Sequence, residues 1–350
     1  MAKTGNVKRI NLALQGGGAH GAFTWGVLDR LLEEEDVEIA AVSGTSAGAL
    51  NGAALKAGLV EGDRQTARDN LDWLWAQMGA INDLRMANWM EAFLPTPGAI
   101  SKMIELSPFF AVSDAASRVL SPYAYGPFYR NPLQRIAERF HYDAVCNRDA
   151  GPAFFVCATN VRTGKIRVFQ GDEITTDVIL ASTCLPTLFQ ALEFTDPATG
   201  AQEAFWDGGY TGNPALFPMF EPEFPDDIVI VNINPLERRE VPHTPQDIQN
   251  RINEISFNSS LLRELRAIQF VRELIAEGKV KRGTMKDVRI HMIADDELMN
   301  DLSVATKLVP TPHILNELKE AGRAAAGHFL AENKQKIGQD CSTDLARIFG

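Results

Sequence analysis

Two strand–turn–helix units follow one another near the start of the chain, and they constrain the fold more than any other feature. The apolar run at residues 9–15 (RINLALQ) ends at a cluster of glycines, after which apolar residues recur at helical spacing. A second apolar run at 37–43 is followed by a helix of small residues that opens at Thr45 and closes near Gly58. Successive strand–helix units predict a parallel sheet with helices on its faces.

Strand-like runs return in the second half of the chain, at residues 153–159, 166–169, 204–206, 228–233 and 288–293. The sheet therefore resumes after the helical, proline-rich and aromatic stretch 62–150, which we interpret as a helical cap insertion. Amphipathic helices at 248–275 and 314–330 are expected to cover the outer faces. We predict one α/β domain over 1–350, three-layer with a mostly parallel central sheet, whose segment 244–350 is a helical covering with one strand.

Charge and cysteine content restrict the classes of function. A formal net charge of −11 argues against nucleic-acid binding and weakens electrostatic docking on anionic membranes. The polar residues 1–8 lack the apolar core of a secretory signal, so the cytoplasm is the expected compartment. The four cysteines stand far apart without metal-ligand spacing, and we expect neither a metal nor a cofactor.

The strongest local motif is G-x-S-x-G, formed by Gly44, Ser46 and Gly48 between a predicted strand and a predicted helix. A nucleophile elbow needs glycines on both sides of the serine because the turn is too tight for side chains. The following helix N-terminus also stabilises negative charge that develops nearby. The context favours Ser46 as a catalytic nucleophile.

A second motif, GGGAHG at residues 16–21, also lies between a strand and a helix. Backbone N–H groups of consecutive glycines can hold either a phosphate or the oxyanion of a tetrahedral intermediate. Gly16, Gly18 and Gly21 also satisfy the dinucleotide fingerprint G-x-G-x-x-G, so a dinucleotide-binding oxidoreductase is a rival interpretation. That fingerprint requires an acidic residue at the end of the second strand, where this chain has the serine elbow instead.

A third motif, Asp207-Gly208-Gly209, follows the strand-like run 204–206. An aspartate at a strand end followed by glycines can project its carboxylate into a site. Asp-Gly is also among the commonest turn pairs, and a turn-capping role is the default for an isolated example.

Together the three motifs resemble the patatin-like phospholipase family, lipid acyl hydrolases with a Ser-Asp dyad, in the order and spacing of its members. The segment 181–186 (ASTCLP) is also similar to the family, and the resemblance covers residues 8–214, closest to bacterial, cytosolic-type members. It implies that Ser46 is the nucleophile and Asp207 its base. It further implies an oxyanion hole at the loop glycines Gly16, Gly17 and Gly18, with motif support from Gly21, Gly44, Gly48, Gly208 and Gly209.

The implied function is hydrolysis of carboxylic esters of lipids, of phospholipase A, lysophospholipase or esterase type, through an acyl-serine intermediate. The expected partners are a lipid or acyl-ester substrate and, transiently, a membrane surface, while the oligomeric state cannot be read from the sequence. A Ser-His-Asp triad is an alternative, with His243, His291 or His313 as the histidine that follows Asp207. A non-catalytic lipid-binding module is another, and the apolar stretch 109–128 fits a pocket, a lid, a core or a subunit contact equally well.

Overall fold

The computed structural model describes residues 7–81, 121–124, 129–238, 240–302, 306–307 and 309–349. Within these ranges eight strands form one sheet. Their bounds are β1 Lys8–Leu14, β2 Val37–Thr45, β3 Ala153–Asn160, β4 Ile166–Gln170, β5 Leu192–Thr195, β6 Gln202–Asp207, β7 Asp227–Val231 and β8 Arg289–Ile293.

The strands are hydrogen-bonded in the order β5-β6-β3-β2-β1-β7-β8, and β4 also pairs with β3. The central pairs β2–β3, β1–β2, β1–β7 and β7–β8 are parallel. The remaining pairs, β3–β4, β3–β6 and β5–β6, are antiparallel. The predicted mostly parallel sheet is confirmed.

The described helices are α1 Gly21–Leu31, α2 Ala47–Glu61, α3 Arg64–Ile81, α4 Gln134–Ala137, α5 Tyr142–Val145, α6 Thr176–Ser182, α7 Pro245–Ala276, α8 Asp296–Asp301, α9 Pro312–Asn333 and α10 Leu345–Phe349. Among them, none combines the length and the apolar character that a membrane crossing requires.

The sheet separates two hydrophobic cores because alternate strand residues point to opposite faces. Leu12 and Leu14 of β1 join the core under α1, α2, α3 and α9, whereas Ala13 between them faces the core under α7. On that second face, α7 contributes Leu261 and Leu265. Helices therefore cover both faces, and the three-layer α/β/α prediction is confirmed.

The predicted cap, 62–150, lies partly outside the described residues, since 82–120 and 125–128 are not among them. The described parts of that range, α3, α4 and α5, place Trp75, Ile136 and Val145 in the same core as α1 and α2. Most of the stretch 109–128 also lies outside the description. The segment 244–350 contains α7 to α10 and the strand β8.

Candidate active site

Ser46 occupies a sharp turn between β2 and α2. Its φ of 54° makes it the one non-glycine residue in the left-handed region among those described. A Cβ on Gly44 would lie 2.6 Å from the Gly48 carbonyl oxygen, and one on Gly48 would lie 2.0 Å from the Leu14 carbonyl oxygen. Both motif glycines are therefore required by close backbone packing, and the strained turn is what a nucleophile elbow needs.

The pairing of β3 places Asp207 beside this elbow. Cys157 pairs with Thr45 of β2 on one edge and with β4 on the other. The next residue, Ala158, pairs with Asp207 of β6 and again with β4. Because β4 holds the same edge of β3 throughout, β6 continues in line beyond the end of β2. Asp207 thus occupies the position after Thr45, next to Ser46.

The Asp207 carboxyl is fully buried. Its Oδ1 accepts a hydrogen bond of 2.7 Å from the Gly209 N–H, while Oδ2 has no hydrogen-bond partner among the described residues. Burial raises the pKa of Asp207 to about 7, although the Gly209 N–H and the nearby Ser46 hydroxyl both favour the ionised form. The Ser46 hydroxyl is thus close enough to act on the pKa, but it completes no hydrogen bond with Oδ2 in this geometry.

The two glycines after Asp207 let this turn approach its neighbours. A Cβ on Gly208 would lie 2.3 Å from the Cys157 carbonyl oxygen, and one on Gly209 would lie 2.9 Å from the Phe257 ring. The Asp207 backbone is held from both sides, because its N–H donates to Cys184 and its carbonyl accepts from the Thr159 hydroxyl, each at 2.8 Å.

The glycine loop, residues 16–21, lies against the elbow. A Cβ on Gly16 would lie 2.6 Å from Ser46 Cβ, and one on Gly21 would lie 2.6 Å from Ala47 Cβ. The Gly16 N–H donates to Asn213 Oδ1 at 2.7 Å and is therefore already occupied. Within the described part of the chain, no hydrogen bond from the Gly17 or Gly18 N–H is found. Gly18 has a φ of +61°, and a Cβ on it would lie 2.5 Å from the Lys307 carbonyl oxygen, so this position tolerates no side chain.

Three side chains that the sequence motifs do not identify complete the frame. Ser182, at the end of α6, accepts a 2.9 Å hydrogen bond from the Ser46 N–H and donates one of 2.7 Å to the Cys157 carbonyl. It lies in segment 181–186, which is similar to the family but in which the resemblance assigns no residue a role. Asn213 and Asn234 contact Gly16. Of these two, only Asn213 lies near a motif, six residues after Asp207.

All six histidines of the chain are described, and none hydrogen-bonds Asp207. His291 instead pairs with Asp227 at 2.9 Å and with Ser342 at 3.0 Å. His20, inside the glycine loop, is buried against Thr306, and burial lowers its pKa well below the ordinary value. The geometry therefore gives the triad alternative no support.

Cofactor alternatives find equally little support in the described residues. Thr45 and Ser46 end β2 where a dinucleotide-binding fold needs an acidic side chain for the ribose. In the same part of the chain, no group of three potential metal ligands converges.

Comparison with curated proteins finds no match. Solved structures similar to the chain include VipD from Legionella pneumophila (14% identity, TM-score 0.40, 93% of this chain and 67% of that one) and the type III effector ExoU (15%, 0.33, 93% and 53%). Human GIVD cytosolic phospholipase A2 is also similar (14%, 0.34, 93% and 60%). The chain thus spans 53% to 67% of the length of these proteins.

The sequence model described as Patatin-like phospholipase matches residues 12–219, more than half of the 350-residue chain. The matched range contains the glycine loop, the elbow at Ser46 and the Asp207 turn. The chain therefore belongs to the patatin-like phospholipase family, the lipid acyl hydrolases that its motifs resemble.

Proposed function

We propose that the protein cleaves carboxylic esters of lipids with Ser46 as nucleophile and Asp207 as base. The observation that carries the proposal is the pairing of β3, which sets a fully buried carboxyl beside a serine on a strained turn. Perturbed pKa values and backbone strain concentrate at functional sites, and this site has both.

In the first half-reaction, the ionised Asp207 accepts the Ser46 hydroxyl proton as Oγ attacks the ester carbonyl carbon. The carbonyl π electrons move to oxygen and give a tetrahedral intermediate. Its collapse breaks the bond to the alkoxide leaving group, which takes the proton back from Asp207. The acyl group remains on Ser46.

The oxyanion of that intermediate is stabilised by the Gly17 and Gly18 N–H groups, for which no acceptor is found in the described structure. The N-terminus of α2, immediately after Ser46, adds a favourable dipole. Gly16 supports the site differently, because its missing side chain lets the loop touch Ser46.

In the second half-reaction, Asp207 accepts a proton from a water molecule that attacks the acyl-serine carbonyl. Collapse of this second intermediate releases the carboxylic acid and returns the proton to Ser46. One carboxylate thus serves both steps without a histidine. A phospholipid, a lysophospholipid or a simpler ester fits this chemistry, and a water-insoluble substrate entails transient contact with a membrane surface.

The test is hydrolysis of a short-chain nitrophenyl ester and of a fluorescent phospholipid, combined with fluorophosphonate labelling. We expect the parent to cleave and to label, Ser46→Ala to do neither, and Asp207→Asn to lose turnover while keeping its circular dichroism. Ser259→Ala, whose hydroxyl donates to the Ser256 carbonyl within α7, serves as the control and should keep both activities. A folded parent that neither cleaves nor labels, or a Ser46→Ala variant that still labels, contradicts the proposal.

A further inference from the structure

Two buried asparagines hold the backbone of Gly16, whose carbonyl belongs to the peptide group that precedes Gly17. The Gly16 N–H donates to Asn213 Oδ1 at 2.7 Å. The Gly16 carbonyl accepts from Asn234 Nδ2 at 2.7 Å and from Asn213 Nδ2 at 3.3 Å. Both side chains are at most 1% exposed. The backbone of Gly16 is therefore fixed on both of its polar sides.

Asn234 is itself held in a single orientation. Its Nδ2 lies 3.3 Å from Gln15 Oε1, an acceptor, and its Oδ1 lies 3.5 Å from the Lys307 ammonium, a donor. If the amide nitrogen and oxygen of Asn234 exchanged places, the oxygen would face two acceptors, Gln15 Oε1 and the Gly16 carbonyl. The nitrogen would face the Lys307 ammonium, which is a donor. The backbone carbonyl of Asn234 is also fixed, by Asn258 at 3.3 Å.

Because the peptide group is planar, the contact of Asn234 with the Gly16 carbonyl also fixes the direction of the Gly17 N–H. The Gly16 carbonyl and the Gly17 N–H belong to one peptide group, and in a trans peptide they point in opposite directions. The one cis bond of the described chain is at Asn213–Pro214. A carbonyl held toward Asn234 therefore directs the Gly17 N–H away from Asn234.

We infer that Asn234, assisted by Asn213, is a positioning residue that aims the Gly17 N–H at the oxyanion. The inference rests on the proposed function and adds a residue outside 12–219, the range that the family model matches. Glycine peptides rotate more freely than others, and an oxyanion donor is effective only when it needs no reorganisation during the reaction. The amide side chains supply the rigidity that Gly16 and Gly17 lack.

The experiment compares Asn234→Ala with Asn232→Ala in steady-state hydrolysis of the nitrophenyl ester. Asn232 is a matched control, since it is equally buried and donates to the Asn234 backbone carbonyl, but its side chain has no hydrogen bond with the glycine loop among the described residues. We expect Asn234→Ala to lower kcat at least about tenfold with KM within about twofold of the parent. The affinity for a trifluoromethyl ketone, which forms a tetrahedral adduct with the serine, should fall in the same proportion.

One further readout and one replacement variant separate positioning from general destabilisation. The acid limb of the pH–rate profile should be unchanged in Asn234→Ala, because Asp207 is not disturbed. If the alanine variant does not fold, Asn234→Asp replaces it, since it keeps the volume and offers Lys307 a carboxylate while removing the donor to Gly16.

The inference is overturned if a folded Asn234 variant keeps the parental kcat, or if Asn232→Ala loses as much. Failure of the proposed function looks different, because the parent itself would then neither cleave the ester nor label with fluorophosphonate.

Discussion

At the scale of single residues, the buried carboxyl of Asp207 is the feature with the most direct chemical consequence. Burial raises its pKa to about 7. Above that pH the ionised carboxylate can act as a base, and below it the protonated carboxyl cannot accept a proton. Glu264 is a second carboxyl whose pKa burial raises to about 7, and its Oε2 is occupied by the Leu216 and Phe217 N–H groups.

These two carboxyls lead to a prediction about the pH dependence of catalysis. We expect kcat/KM to be low under acidic conditions and to rise to a plateau as Asp207 ionises, with an apparent pKa near 7. A pH–rate profile of the nitrophenyl esterase activity measures it. Glu264→Gln removes the other carboxyl and should leave the acid limb in place. If the acid limb moves in Glu264→Gln, the titration belongs to Glu264 and not to Asp207, which contradicts the prediction.

At the scale of elements, α1 and α9 pack with their backbones in contact. A Cβ on Gly26 would lie 1.9 Å from the Lys319 carbonyl oxygen, and one on Gly322 would lie 2.0 Å from the Phe23 carbonyl oxygen. Each helix thus presents a glycine at the point where the other comes closest. This approach holds α1, which begins at the last glycine of the glycine loop, against α9.

The packing of α9 gives a prediction with an internal control. We expect Gly322→Ala to lower the free energy of unfolding by at least about 2 kcal/mol, since the two helices must separate to admit a methyl group. Gly327 lies in the same helix, and its nearest neighbour, Arg30 Nε, would be 4.0 Å from an added Cβ. Gly327→Ala should therefore stabilise the protein by up to about 1 kcal/mol through helix propensity. Urea denaturation of both variants tests this, and equal effects would contradict the close approach.

The sequence predicts those elements that local patterns determine. Most strands follow from short apolar runs, and the elbow at Ser46 follows from glycines on either side of a tight turn. The four-residue β5, whose residues are half-buried or exposed, was missed because it gives no apolar run. Within the predicted helical stretch 62–150, α4 spans only Gln134–Ala137, and Asn131 Oδ1 accepts the Leu133 N–H at 2.9 Å in the turn before it.

The meeting of Asp207 with Ser46 could be predicted only from the family resemblance. It depends on β6 pairing with β3 beyond the end of β2, an arrangement between residues far apart in the chain. The contacts of Asn213 and Asn234 with Gly16 had no sequence signal, since buried amides in polar loops look like ordinary turn residues.

At the scale of the whole molecule, Asp227 connects the last part of the chain to the far edge of the sheet. Its carboxylate accepts hydrogen bonds from Arg289, His291 and the Gly338 N–H. Burial opposes ionisation, but these donors outweigh it and lower the pKa of Asp227 to about 2. A carboxyl with a depressed pKa in the folded state contributes stability above its unfolded pKa and loses it as the pH falls through the folded one.

We therefore predict that Asp227 contributes to acid denaturation. The contribution, on the order of 2 kcal/mol, should be complete above about pH 4 and lost near pH 2. Urea denaturation of the parent and of Asp227→Asn measures it as a difference in unfolding free energy that shrinks across this interval. Asp69→Asn, an exposed position on α3, should show a small and constant difference. A constant difference for Asp227→Asn as well would exclude this role.

The central position of β1 has a consequence for the order in which the protein is made. Its neighbour β2 follows within the first 45 residues, but its other neighbour, β7, begins at Asp227, more than 200 residues after β1 ends. A ribosome releases the N-terminal segment first. The growing chain therefore carries its serine motif long before β7 and Asn234 exist to close the sheet and hold the glycine loop. We expect catalytic competence to arise only late in synthesis. An incompletely packed chain should therefore be unable to act on lipid.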